Sequence, residues 1–410
     1  MIRLSLQGRQ FVRIIVLMMG VFVLFGACQN TKRHIDQEEL FFLELGKLEN
    51  TINLFHDEGT AFSERSDITM VDGLVYILNR NSNKIMVYTS YGDLISLLYD
   101  PDENPAPLSV LQEGEDGSIS SRRAVPFAFT RIGWFAVDSQ RRLLVEDRLP
   151  RDRWEQDVEL DSMLNRVVLR FTPDGQLLDY IGQDGPRGAP FPYIYRVEAT
   201  DNDELVVISR VPEKWLVYWF LPSGEHVTSL EIPVDQLPIP EEGLVPSLQE
   251  IFPDPELRRL YLKIDYYQTR RDENTGGIRQ VTLDSSSIYW LDLEDGVYRD
   301  SIVIPPNRQF ATGSSLFEEG QREYSYSLLG VPGKELLLLM SEEPEGQVQL
   351  MLMKTDGTVI RRRYIEIPRD GILRRRLRIG ENGILVGLLS YEDGASVYWW
   401  RTDAMLPFSP

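Results

Sequence analysis

The chain has 410 residues, 63 acidic against 43 basic side chains, a net charge of −20 and one cysteine. Such acidity repels nucleic acid and anionic head groups at long range, so no nucleic-acid partner is expected. A lone cysteine makes no internal disulfide and no CxxC metal or redox site, and neither a metal nor a cofactor is expected.

The chain starts with Arg3, Arg9 and Arg13, followed by an uninterrupted apolar and small-residue run over 14–27. As a helix that run rises about 21 Å, short of the roughly 30 Å of a bilayer core. It therefore reads as an export signal over 1–27 rather than a permanent span. The run ends in Leu24-Phe25-Gly26-Ala27-Cys28. This resembles a bacterial lipobox, which implies that Cys28 takes up a lipid and holds the protein at the membrane. Phe25 departs from the usual aliphatic residue, a departure that the looser spirochaetal lipoboxes accept. Two or three acyl chains anchor stably, at about 0.8 kcal/mol per buried CH₂. Losing the leader with its three arginines takes the net charge from −20 to −23. Residues 28–38 are polar and read as a tether.

From 39 onward the chain repeats one unit: strand, tight turn, strand, loop, strand, Gly turn, strand. The clearest copy spans 68–94. It reads ITMV, the turn Asp72-Gly73, LVYILNR, a short loop, KIMVY, Tyr91-Gly92 and DLI. Asp-Gly between alternating apolar runs is a strong hairpin signal, because both turn residues take positive φ. Later copies turn at Pro173-Asp174-Gly175, Pro222-Ser223-Gly224, Glu294-Asp295-Gly296 and Thr355-Asp356-Gly357. The sixth copy (RLRIG, GILVGLL, SVYWWRT) has only three strands. Six such units predict an all-β, six-bladed β-propeller over 39–410. The strand at 39–45 is expected to complete the sixth blade and close the ring. Burying three of its side chains would contribute roughly 5–9 kcal/mol gross.

The copies resemble NHL-type six-bladed propellers, most specifically over 72–94 and where Asp179-Tyr180-Ile181-Gly182 leads through a Gly-rich crossover to Pro192. With the lipobox, the chain is similar to propeller lipoproteins of spirochaetes, a family without an assigned activity. The resemblance implies a fold and a location in the bacterial cell envelope, at the inner or outer membrane, but no reaction.

In a propeller the tight turns share one face, and the longer connections share the other. The long segments are 99–130, 148–164, 233–247, 266–284 and 305–324, which makes the long-loop face the expected binding face. Aligning the copies brings Asp67, Trp134, Arg196, Gln249, Ser327 and Arg376 to the channel mouth. Alternation sends Arg374, Arg376 and Arg378 to one side of an innermost strand. There they can hold a carboxylate or phosphate, or else pair with carboxylates of neighbouring blades. Arg122-Arg123 and Glu146-Asp147-Arg148 are further candidates, placed in the long loops with the same two readings. The three histidines, His34, His56 and His226, do not converge, and HExxH, G-x-S-x-G and P-loop patterns are absent. The favoured reading is a non-enzymatic, lipid-anchored propeller that binds an envelope protein or a small ligand. The alternative is a metal-dependent hydrolase or lactonase at the channel mouth.

Overall fold

The computed structural model describes residues 34–55, 66–108, 122–271, 278–310, 321–342, 347–380 and 382–407. The leader and Cys28 lie outside these. Six antiparallel sheets of four principal strands make an all-β, six-bladed propeller. In chain order the innermost strands are Asp67–Val71, Ile132–Val137, Ile194–Ala199, Leu244–Pro253, Ser327–Gly333 and Arg374–Ile379. The turn after the first of them is Asp72-Gly73, at φ 50° and 74°, a left-handed pair that glycine favours at its second position.

The second and third strands of each blade carry apolar side chains on both faces, because each sheet is covered on both sides by its neighbours. Buried clusters lie between successive blades. Ile77, Met86 and Tyr88 of blade 1 pack with Val386, Leu388 and Val397 of blade 6. Leu78 and Ile85 meet Phe135 and Val145 of blade 2 on the other side. Val168 of blade 2 meets Val207 and Tyr218 of blade 3. Trp219 of blade 3 packs on Leu262 of blade 4, Tyr261 of blade 4 on Met351 of blade 5, and Leu352 of blade 5 on Trp400 of blade 6. Each fully buried side chain contributes about 1.5–3 kcal/mol of transfer free energy, so the inter-blade seams are the core.

The sheet of Arg374–Ile379, Leu385–Ser390 and Gly394–Trp400 takes its fourth strand from Gln37–Glu44. That strand pairs Phe41 with Val397 and Leu43 with Ala395. It begins two residues before the expected start of the propeller. Trp399 Nε1 donates to Glu38 at 2.7 Å across the same pairing.

Several expected loops contain strands. The segment 266–284 is not a loop inside blade 4: Arg259–Arg271 and Ile278–Asp292 run on as one long hairpin, with Thr269 opposite Val281 and Gln268 opposite Thr282. Its outer part lacks an apolar face because no neighbouring blade covers it, which is why it read as a loop. The segment 148–164 holds a 3₁₀ turn, Arg151–Arg153, and a small hairpin of Glu155–Asp157 with Ser162–Leu164. Arg123–Pro126 adds a fifth, parallel strand outside Leu94–Tyr99 of blade 1.

Candidate functional site

The innermost strands enter from the long-loop face and end in the tight turns, so side chains two residues apart occupy successive depths of the channel. Near the long-loop face a cavity of about 290 Å³ is lined by Asp67, Trp134, Tyr193, Tyr195, Arg374 and Arg376. Arg376 lies 4.6 Å above the Trp134 ring, a cation–π distance. Its Nε donates to Asp67 Oδ1 at 2.6 Å and its Nη2 to Oδ2 at 3.4 Å. Nη1 has no partner among the described residues, and 29% of the side chain is exposed. One edge of the guanidinium is thus held by Asp67, and the other faces the cavity.

One step deeper, Arg378 crosses the channel. Its Nη1 donates to the Phe135 carbonyl at 2.8 Å and to Asp67 at 3.4 Å, and its Nη2 donates to Glu198 at 2.7 Å. Arg196 completes the belt by donating to Glu198 at 3.0 Å while its guanidinium lies 3.9 Å from the Phe252 ring. Burial alone would raise the pKa of Asp67, but Arg376 and Arg378 outweigh it and hold the carboxyl below its ordinary range. Burial likewise works against the Arg378 charge, and Glu198 and Asp67 raise its pKa above the usual value. The belt floors the upper cavity. Beneath it a second cavity of about 290 Å³ opens among the tight turns, lined by Thr69, Arg196, Glu250, Phe252 and Arg378. Burial raises the pKa of Glu250 there.

The structure therefore brings Trp134, Arg196 and Arg376 together in one channel. Asp67, Arg374 and Arg378, also expected there, lie in the same channel, but Arg122, Arg123 and Asp147 do not. Arg123 opens a strand parallel to Leu94–Tyr99, which starts at a tight turn. Arg123 thus sits on the tight-turn face and forms an ion pair with Asp174, correcting its placement, and that of adjacent Arg122, in the long-loop face. Asp147 belongs to the second strand of blade 2, Leu143–Arg148, not to a loop. Its carboxylate accepts the backbone N–H of Arg131 at 2.7 Å and of Thr130 at 3.2 Å, fixing the start of the innermost strand. Burial pushes its pKa up to about 6.

Sequence reasoning missed Glu198, Tyr193 and Tyr195. Glu198 follows Arg196 by two on one strand, and that spacing was the available signal. Glu146, expected with Asp147 in a long loop, lies instead in the second strand of blade 2. It reaches under Gly133 to accept the Trp134 N–H at 2.8 Å. A Cβ on Gly133 would stand 2.1 Å from the Glu146 carboxylate, so any larger residue there must displace that carboxylate from the Trp134 N–H. Among the described residues no group of three His, Cys, Asp or Glu side chains is arranged to hold a metal ion.

No protein-family model matches the chain, and no curated protein matches it. Solved structures match at the level of architecture. The β-propeller domain of the Trilobed protease from Pyrococcus furiosus, described as having an open velcro topology, is 11% identical over 82% of each chain, with a TM-score of 0.39. A luciferin-regenerating enzyme is 10% identical over 89% of this chain and 95% of its own, with a TM-score of 0.36. A subtype N10 neuraminidase-like protein of A/little yellow-shouldered bat/Guatemala is 9% identical over 89% and 99%, with a TM-score of 0.35. The likeness is one of fold alone.

Proposed function

We propose that this propeller is a lipid-anchored binding module of the bacterial cell envelope that takes a small carboxylate-bearing ligand, or an acidic side chain of a partner, in the upper channel cavity. The observation that carries the reading is the half-engaged guanidinium of Arg376, paired with Asp67 on one edge and unpartnered at Nη1 among the described residues. It lies on Trp134, with the ion pairs of Arg378 to Asp67 and Glu198 one step deeper. A ligand carboxylate completes its donors at low reorganisation cost, since stacking and Asp67 already fix the plane of the fork. The hydrolase alternative gains no such support: Asp67 and Glu198, two of the channel carboxylates, are engaged by arginines.

The test is a thermal-shift screen against small mono- and dicarboxylates. Hits should raise the melting temperature of the wild type and lose that effect in Arg376→Gln and Trp134→Leu. A screen without hits, or hits that Arg376→Gln retains, would overturn the reading of the cavity.

Anchoring belongs to the same proposal and has its own test. Labelling with a fatty-acid analogue should occur in the wild type and be absent from Cys28→Ser. The lipobox and the likeness to NHL-type spirochaetal lipoproteins support this part. We also read Gln37–Glu44 as the clasp that keeps blades 6 and 1 together, because it pairs along the whole third strand of blade 6. Its deletion should lower the melting temperature markedly, and an unchanged melt would show that the inter-blade core alone holds the ring.

A further inference from the structure

Blade 2 ends at the long-loop face in three arginines side by side. Arg131 directly precedes the innermost strand, Arg148 ends the second, and Arg166 begins the third. Arg166 stands opposite Arg148 in the ladder. Ile132 stands opposite Asp147, and the Arg148 N–H donates to the Arg131 carbonyl at 3.2 Å, so Arg131 is next in register. Directly opposite residues share a face of the sheet with Cβ atoms about 4.5–5.5 Å apart, where like charges destabilise.

The acids nearby offset only part of this. Glu146 is engaged by Arg166 and the Trp134 N–H. Asp147 is engaged by the Thr130 and Arg131 backbone. Arg131 and Arg148 have no carboxylate partner among the described residues, in a chain with 63 acidic side chains to offer one. The Nε atoms of Arg148 and Arg166 are buried without a hydrogen-bond partner among the described residues. Burial and the charges of Arg166, Arg131 and Arg151 together lower the pKa of Arg148.

Aromatic rings hold the guanidiniums in place. Arg148 lies 4.3 Å from the Trp154 ring and Arg151 lies 5.8 Å from it. The indole is pinned by its own N–H to the Leu149 carbonyl at 2.7 Å. Arg166 lies 5.3 Å from the Tyr193 ring. The result is two forks held against rings beside the exposed Arg131, with an excess of positive charge.

We propose that the Arg131–Arg148–Arg166 ladder is a binding site for a phosphate-class dianion. A tetrahedral dianion offers several oxygens to neighbouring forks at once, whereas a single carboxylate neutralises only one of them. The site shares no arginine with the upper cavity, so it stands or falls independently of the carboxylate reading there.

Titration calorimetry of the full chain with inorganic pyrophosphate tests it. The expected result is saturable binding, weakened roughly tenfold or more in both Arg148→Gln and Arg131→Gln and unchanged in Arg376→Gln. Arg131 is exposed, so its variant keeps the test valid if Arg148→Gln folds poorly. No saturable binding, or full affinity in Arg131→Gln, overturns the proposal. Vesicles bearing a phosphate-monoester head group separate two sources of the same chemistry. Capture of both probes, lost in Arg131→Gln, supports a lipid head group as the source. Binding of pyrophosphate alone supports a soluble ester, and binding of neither overturns the site.

Discussion

The channel belt and the blade 2 ladder are built from the same side chain and behave oppositely. In the belt, Arg376, Arg378 and Arg196 reach Asp67 and Glu198 on the innermost strands of other blades or of their own. In the ladder, adjacent strands of one sheet line up three arginines, and among the described residues only the Glu146 carboxylate accepts from the row. The difference lies in geometry, not composition. Radial strands from six blades converge on the channel and can supply carboxylates across it. A ladder within one sheet meets only its own strands, where Asp147 is committed to backbone N–H groups and Glu146 is shared between Arg166 and the Trp134 N–H. Charge satisfaction therefore distinguishes arginines that hold the fold from arginines left for an outside partner.

The largest effect should come from breaking the belt. Arg378→Met leaves the buried Asp67 and the half-buried Glu198 with fewer counter-charges and strips a donor from the Phe135 carbonyl. Removing one partner of a buried pair typically costs about 3–5 kcal/mol, which urea denaturation would read directly. Arg378→Lys should recover only part of this, since an ammonium cannot span both carboxylates and the carbonyl in one plane. A loss for Arg378→Met no larger than that of an exposed arginine would erase the distinction between belt and ladder.

The blade pattern was legible because each hairpin has a local cause. Asp72-Gly73 and Asp356-Gly357 mark turns that need positive φ, and the strands between them are apolar on both faces because both faces are covered. The channel mouth was partly legible, since innermost strands align from copy to copy: Trp134 and Arg376 line the upper cavity, while Arg196 lies one step deeper in the belt. What was hidden depends on register across variable loops. Nothing in the sequence brings Arg131 beside Arg148 or Arg148 opposite Arg166, because segments of unequal length separate them. Arg123 was misplaced for the same reason: its strand runs parallel to its neighbour after a crossing of the blade. The hairpin of 259–292 was hidden where it projects beyond the core and loses its apolar signature.

Acid titration sharpens the comparison through its sign. Asp67, in the belt, is held below its ordinary pKa, so its contribution is present above that value and is lost as pH falls through the depressed one. Asp147, beside the ladder, goes the other way, from 3.8 up to about 6. The folded state then binds its proton more tightly than the unfolded state does. Its contribution is complete below about 4 and is lost as pH rises through about 6, on the order of 3 kcal/mol across that window. The difference in stability between wild type and Asp147→Asn should therefore shift against the wild type from pH 4 to 7. A shift of opposite sign would mean that Asp147 is ion-paired with Arg131 or Arg148, and the ladder would then be internally neutralised.

The smallest effect is the most discriminating. Arg148→Gln should change stability by no more than about 0.5 kcal/mol in either direction, the range of a surface change that touches no buried network. Two opposing contributions set that value. The variant loses the stacking of Arg148 on Trp154, on the order of 0.5–1 kcal/mol at a partly exposed site. It also relieves the repulsion between Arg148 and its cross-strand neighbours Arg166 and Arg131, of similar size for like charges directly opposite. Salt separates the two contributions, because it screens the repulsion and leaves the stacking largely intact. Adding salt should therefore stabilise the wild type more than Arg148→Gln, in parallel denaturant titrations. A structural arginine would show the reverse: a loss of several kcal/mol on substitution, with salt weakening the wild type by screening its ion pair. The first pattern leaves the ladder charged and waiting for an anion, and the second would make it a belt like the one in the channel.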